Sequence, residues 1–175
     1  MSISIQKITP FLWFEHQAEE AVRLYTSIFR NSGIGIITRY GKDGAQASGQ
    51  PPGTVMTIAF ELEGQAFVAL NGGPHFKFTE AISFVVNCVS QGKIDHYWDR
   101  LSEGGDERAQ QCGWLKDKYG VSWQIVPAGW GDLLNDADPE RAGRVMKALL
   151  QMKKIDIEAL RRASEGDRQP VGASA

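Results

Sequence analysis

Few residues in this chain have the type and spacing for chemistry, and they are scattered. His16 precedes the first helical pattern, His75 lies in a loop, and His96 falls on a polar helix face between Ile94 and Tyr97. Each reads as a solvated imidazole rather than a metal ligand. Cys88 and Cys112 read as reduced, buried thiols, since free cysteine behaves as a small apolar side chain. A general base would have to be Glu61, Glu63 or Glu80, and the alternation of the third strand turns the first two toward solvent.

The elements that hold these residues come in two copies. Ile8-Thr-Pro-Phe-Leu-Trp-Phe14 opens a series of strand, helix and strands, and Ile82-Ser-Phe-Val-Val-Asn-Cys88 opens it again. A displacement of about 73 positions sets Phe11 on Phe84, Ala21 on Ile94, Tyr25 on Trp98 and Ile28 on Leu101. Ala18, Ala21, Val22, Tyr25, Ile28 and Phe29 form one helical stripe, and Ile94, Tyr97, Trp98 and Leu101 form the other. A single stripe must be buried against a sheet, so each unit is expected to cover its own strands with one helix.

Strands are expected at Ile5–Phe14, Gly35–Tyr40, Val55–Glu63 and Gln65–Leu70, then at Ile82–Cys88, Glu107–Leu115 and Val121–Val126. Helices are expected at Ala18–Phe29 and Gly92–Glu103. Residues 41–53, rich in Gly and Pro and nearly free of large apolar groups, read as a long exposed loop or a lid over a ligand. Asp138-Pro139-Glu140 signals a helix start, followed by a stripe of Ala142, Val145, Met146, Leu149 and Leu150. Asp156 can cap a last short helix.

The expected organisation is a single domain over 1–165, with unit one at about 5–74, unit two at about 80–127, helices over 138–164 and a disordered tail at 166–175. The chain has 175 residues, 42% of them apolar, and a net charge of −2. No basic stripe suggests nucleic-acid binding, and no apolar run suits a bilayer. A cytoplasmic location is expected, with neither nucleic acid nor membrane as partner.

Ile8–Phe14, Ala18-Glu-Glu-Ala-Val-Arg-Leu-Tyr25, Leu70-Asn-Gly-Gly-Pro74 with Phe76 and Phe78, Ser83-Phe84, Lys116-Asp-Lys-Tyr-Gly-Val-Ser-Trp-Gln-Ile125 and Met146 through Leu160 resemble one known family, over about Ile5 to Ala163. It is the PhnB-like, demethylubiquinone methyltransferase-like branch of the vicinal-oxygen-chelate superfamily of glyoxalases, bleomycin-resistance proteins and extradiol dioxygenases. The resemblance implies an α+β fold of tandem βαβββ units in curved, mostly antiparallel sheets, with extra C-terminal helices.

It also implies that metal-using relatives place their ligands where this chain has Pro10, Val68, Ser83 and Gln124. That set offers one amide and one hydroxyl, a poor match to a divalent ion, so no metal and no cofactor are expected. No glycine-rich turn of the kind that holds S-adenosylmethionine is evident, because Gly72-Gly73 stands between the units. The expected pocket comprises Pro10, Val68, Asn71, Phe76, Phe78, Ser83 and Gln124. There Gln124 either orients a polar ligand or satisfies a neighbouring strand. Trp13 and Trp123 are expected on the helix-covered face, and Trp130 joins the aromatic set.

These residues suggest a metal-independent small-molecule-binding protein, or alternatively an enzyme acting on a small metabolite. A homodimer is expected, because the stripe through Val145, Met146, Leu149 and Leu150 has no evident partner in either sheet.

Overall fold

The computed structural model describes residues 6–129, 131, 134 and 137–166. The expected tail and Trp130 lie outside them, except that Gly166 caps the last helix. Two compact units meet in sequence between Phe78 and Thr79.

The first unit runs β1 (Phe11–Phe14), α1 (Ala18–Ile28), β2 (Ser32–Arg39), α2 (Lys42–Ser48), β3 (Val55–Leu62) and β4 (Gln65–Asn71). Its sheet has the order β1-β4-β3-β2, with β1 parallel to β4 and the other pairs antiparallel. The α1 stripe is buried as its spacing requires, and Tyr25 stacks on Phe60, which stacks on its cross-strand partner Phe67. Such aromatic layers add to the area they bury.

Two expectations change here. β1 is shorter than Ile5–Phe14, and before it the side chain of Gln6 does the pairing: its amide donates to the Ala66 carbonyl oxygen and accepts from the Ala66 N–H. Residues 41–53 are not simply a loop. Lys42–Ser48 form a helical stretch of two turns that buries Ala45 and ends at Gly49, whose φ of 73° suits a left-handed cap.

The second unit runs β5 (Phe84–Cys88), α3 (Gln91–Ser102), a 3-10 turn (Glu107–Ala109), β6 (Trp114–Lys116), β7 (Ser122–Pro127), α4 (Pro139–Leu149) and α5 (Ile157–Glu165). Its sheet has the order β5-β7-β6, with β5 parallel and β6 antiparallel to β7. The strand expected over Glu107–Leu115 is replaced by the 3-10 turn and the short β6. The run Glu103–Gln111 has no alternating apolar residues to hold a strand, and Asp106 caps the turn through the Arg108 N–H.

The C-terminal helices begin as the sequence indicates, with Asp138 and Asp156 accepting from the N–H groups of Glu140 and Ala159. They dock on their own unit. The N–H groups of Cys112 and Gly113 donate to the carbonyl oxygens of Met152 and Lys153, and Gln91 grips Ile155 and Ile157 through its amide. A Cβ on Gly113 would stand 2.8 Å from Ile155 and 2.9 Å from the Ile125 carbonyl oxygen, so only glycine fits. Val145, Leu149, Ile155 and Leu160 are buried, each contributing roughly 1.5–3 kcal/mol. The stripe expected to lack a partner is therefore half covered, and only Met146 and Leu150 stay exposed. Among the described residues no helix is long and apolar enough to cross a membrane.

The repeat holds for β1, α1, β3 and β4 against β5, α3, β6 and β7, but β2 has no counterpart among the described residues of the second unit, so that unit is βαββ rather than the expected βαβββ, and Phe11 and Phe84 are not equivalent. Leu12 and Phe14 turn to the helix-covered face of the first sheet, leaving Phe11 57% exposed on the other. In the second sheet Phe84 itself pairs with Trp123 on the helix-covered side. The cause is one residue in a connection: three residues separate β1 from α1, and two separate β5 from α3. A displacement that keeps helices in phase then inverts the strands, because side chains alternate with period two.

Candidate functional site

β7 shows how one strand divides the second unit into a packed face and an open one. Trp123 and Ile125 are buried on the side of α3, joined by Leu115, the register partner of Trp123. The Trp123 indole donates to Asp117 at 2.9 Å, and the other oxygen of this buried carboxylate accepts from the N–H groups of Tyr119 and Val121. Asp117 thereby ties the 117–121 turn to the core and sets the β6–β7 register.

Ser122 and Gln124 point to the opposite face, where two rows of side chains cross the strands. Trp114, Gln124 and Val85 are register partners in one row. Lys116 pairs with Ser122 in the next, and Ser83, just before β5, extends it. Gln124 Nε2 donates to Ser83 Oγ at 2.8 Å, so the amide engages a side chain rather than a neighbouring backbone. Lys116 forms an ion pair with Glu80. Its hydrogen bond, aided by the Glu80 N–H, holds the Glu80 carboxyl below the usual carboxylate range. Ser122 is only 2% exposed, yet its hydroxyl has no hydrogen-bond partner. An unsatisfied buried hydroxyl costs about 1–3 kcal/mol.

The first unit presents a different open face. Val68 lies there beside Phe11, its register partner, with Trp13 beside Leu70. Pro10 does not share that face: it precedes β1, and its carbonyl oxygen accepts from the Val68 N–H. Trp13 is likewise not on the helix-covered side. Its ring covers Gly72, where a Cβ would fall 2.3 Å from the indole, and its N–H donates to the Gly73 carbonyl oxygen at 2.9 Å. Gly33, Gly35, Ala59 and Ala66 leave a hollow of about 430 Å³ with Glu61 at its rim.

Asn71 is buried with both ends of its amide engaged, accepting from Ala18 N–H at 2.8 Å and donating to the Val55 carbonyl oxygen at 3.1 Å. It fastens α1 to the sheet and borders a second hollow, of about 530 Å³, with His16, Glu19, Arg39 and Gln50. Phe76 packs edge-on against Trp13, and Phe78 against Phe14, so the partners of these two rings lie on opposite faces of β1.

The other candidate groups have structural surroundings. Glu63 accepts from the Arg30 N–H, and His96 packs edge-on against the Tyr97 ring. Both cysteines are free; burial pushes the Cys88 thiol up to about 11, whereas Cys112, expected to be buried, is only half-buried. Among the described residues no three of His, Cys, Asp and Glu come together as metal ligands, and Pro10, Val68, Ser83 and Gln124 provide no such set. One amide and one hydroxyl are a donor set that does not fit a divalent ion.

The expected pocket does not include Trp114, Lys116 and Ser122. Counting back by two from Gln124 reaches Ser122, and a hairpin pivoting on the Lys118-Tyr-Gly120 turn brings Lys116 and Trp114 opposite them.

Residues 6–126 match the family model described as 3-demethylubiquinone-9 3-methyltransferase. Among solved structures, a PhnB protein from Bacillus cereus with the same methyltransferase description is 40% identical, over 70% of this chain and 100% of its own, at a TM-score of 0.62. A Pseudomonas aeruginosa protein shares the fold at 20% identity and a TM-score of 0.56, over 71% of this chain and 98% of its own. A glyoxylase/bleomycin resistance protein/dioxygenase domain from Frankia sp. EAN1pec is 16% identical over 71% of this chain and 93% of its own, at a TM-score of 0.44. No curated protein matches the chain.

Proposed function

Because this chain belongs to the 3-demethylubiquinone-9 3-methyltransferase family, the PhnB-like branch with a glyoxalase and bleomycin-resistance-like fold, we propose that it is a metal-independent protein that binds a small apolar or aromatic molecule. The observation that carries this reading is the Gln124–Ser83 pair on the sheet face turned away from α3. An amide fixed by a hydroxyl, with Trp114 and Val85 in its own row, offers one oriented polar contact amid apolar surface. That combination is how small-molecule sites hold a ligand.

Methyl transfer, which the family description names, finds less support in these residues. A site for S-adenosylmethionine usually needs a glycine-rich turn after a strand in an open α/β sheet. Gly72-Gly73 serves another end, making room for the Trp13 ring. The residues present do not fit that cofactor, and no step is derived through it.

The test is a fragment screen read by nuclear magnetic resonance, with aromatic fragments expected to shift Trp114 and Gln124. Gln124→Ala should weaken binding by about 0.5–1.5 kcal/mol. Fragments that bind only elsewhere, or a variant that binds as well as the wild type, contradict the reading.

We also read the chain as a cytoplasmic homodimer, with Met146 and Leu150 at the subunit contact because they are the exposed half of the α4 stripe. Light scattering should give a dimer at micromolar concentration and a monomer for Met146→Glu/Leu150→Glu. A monomeric wild type overturns the assignment.

A further inference from the structure

The open face of the second sheet contains more polar capacity than a single amide anchor uses. Lys116 lies with its side chain only 23% exposed, and its charge is met by Glu80 from the loop before β5. Beside it in the same row, the Ser122 hydroxyl is buried and unpartnered. Ser83 Oγ accepts from Gln124, which leaves its own proton to donate. An ammonium and two hydroxyls are thus neighbours on one face, with Trp114 in the adjacent row, and Glu80 is the carboxylate paired with Lys116 while Asp106 feels its charge from farther off.

Resting on the reading that this face binds small molecules, we propose that Lys116, Ser122 and Ser83 form an oxyanion site, and that Glu80 occupies it until a ligand carboxylate or phenolate displaces it. The ligand class is a planar aromatic molecule bearing one anionic oxygen group, its ring against Trp114 and its charge on Lys116. A partly buried ammonium left without its counter-ion would be costly, so an internal carboxylate on an exposed loop is a suitable placeholder. Glu80 can swing into water, its side chain being 57% exposed. The orphaned Ser122 hydroxyl is the independent sign, since it gains a partner only when an acceptor arrives.

The experiment compares 2-naphthoate with its neutral analogue 2-naphthamide by calorimetric titration of the full chain. Wild type should bind naphthoate roughly tenfold more tightly, as a charge-assisted contact warrants. Lys116→Met should abolish that preference while keeping naphthamide affinity. Glu80→Gln, which removes the competitor and keeps the shape, should strengthen naphthoate binding by about threefold or more and leave naphthamide unchanged. Equal affinity of both probes for wild type overturns the oxyanion site and leaves the small-molecule reading standing. Weaker naphthoate binding by Glu80→Gln overturns the placeholder role and with it the proposal. Binding of neither probe at millimolar concentration overturns both readings.

Discussion

The two sheets have matching helix-covered faces and different open faces. In the first unit Phe60, Phe67 and Ala69 meet α1; in the second Leu115, Trp123 and Ile125 meet α3, all of them buried. On the other side the first sheet presents mainly small, aliphatic and aromatic side chains with Thr57 and Glu61 among them, whereas the second presents Lys116, Ser122, Gln124 and Ser83 beside Trp114 and Val85. A duplicated topology thus keeps its packing chemistry and separates its surface chemistry. The fold needs only one face of each sheet, which leaves the other available for function.

The strongest way to break this comparison is to truncate the packed faces. Phe60→Ala and Trp123→Ala should each cost about 3–5 kcal/mol in urea denaturation, because each removes a buried aromatic ring and leaves a cavity. A loss confined to one unit would mean that the two packed faces are not equivalent.

Glycines sharpen it next. Gly72→Ala puts a Cβ into the Trp13 ring, and Gly105→Ala puts one 2.1 Å from the Lys116 carbonyl oxygen. Each should destabilise by about 1–3 kcal/mol, the range for forced overpacking. Gly33→Ala meets nothing within 4 Å and should stay within about 0.5 kcal/mol.

Ser122→Ala isolates the open face of the second unit. Removing an unsatisfied buried hydroxyl should leave stability unchanged or raise it by up to about 1 kcal/mol. The same change should weaken naphthoate binding, and a drop in melting temperature would instead reveal a structural role.

The smallest effect concerns Lys154, which bridges Asp95 and Asp99 of α3 to the segment between α4 and α5. Its hydrogen bond, followed by that of Gln91, holds the Asp95 carboxyl below its ordinary range. The stabilisation is therefore present above the unfolded carboxylate range and fades as pH falls through the lower folded value. Lys154→Met should cost about 0.2–1 kcal/mol at neutral pH, the range for exposed pairs, and less near pH 3. An equal cost at both pH values would remove the ion pair from the account.

The helices were legible because their burial follows a 3.6-residue period that no connection can disturb: Ala21, Tyr25, Ile94 and Trp98 are buried as their phase requires. Strand faces were harder to read, since one residue fewer before α3 exchanges inside and outside. That slip is why Phe11 stands where Pro10 was expected, and why Trp13 lies on the open face. α2 was hidden by two internal features of its segment, flanking glycines and a short length that gives little periodicity. Ser83 and Gln124 could be named from the family motif and Ser122 from its alternation with Gln124, whereas Lys116 and Trp114 needed the hairpin register that the buried Asp117 fixes.

Trp114 and Trp123 sit on adjacent strands, one register position apart and on opposite faces, which makes them a built-in control. The most direct test of the account is a proton–nitrogen spectrum of their indole N–H groups during titration with 2-naphthoate. The Trp114 indole and the Gln124 side-chain amide should shift in a saturable way, while the Trp123 indole, bonded to Asp117, stays in place. A spectrum in which Trp114 and Gln124 do not move, or in which Trp123 moves with them, would contradict a ligand site on the open face of the second sheet.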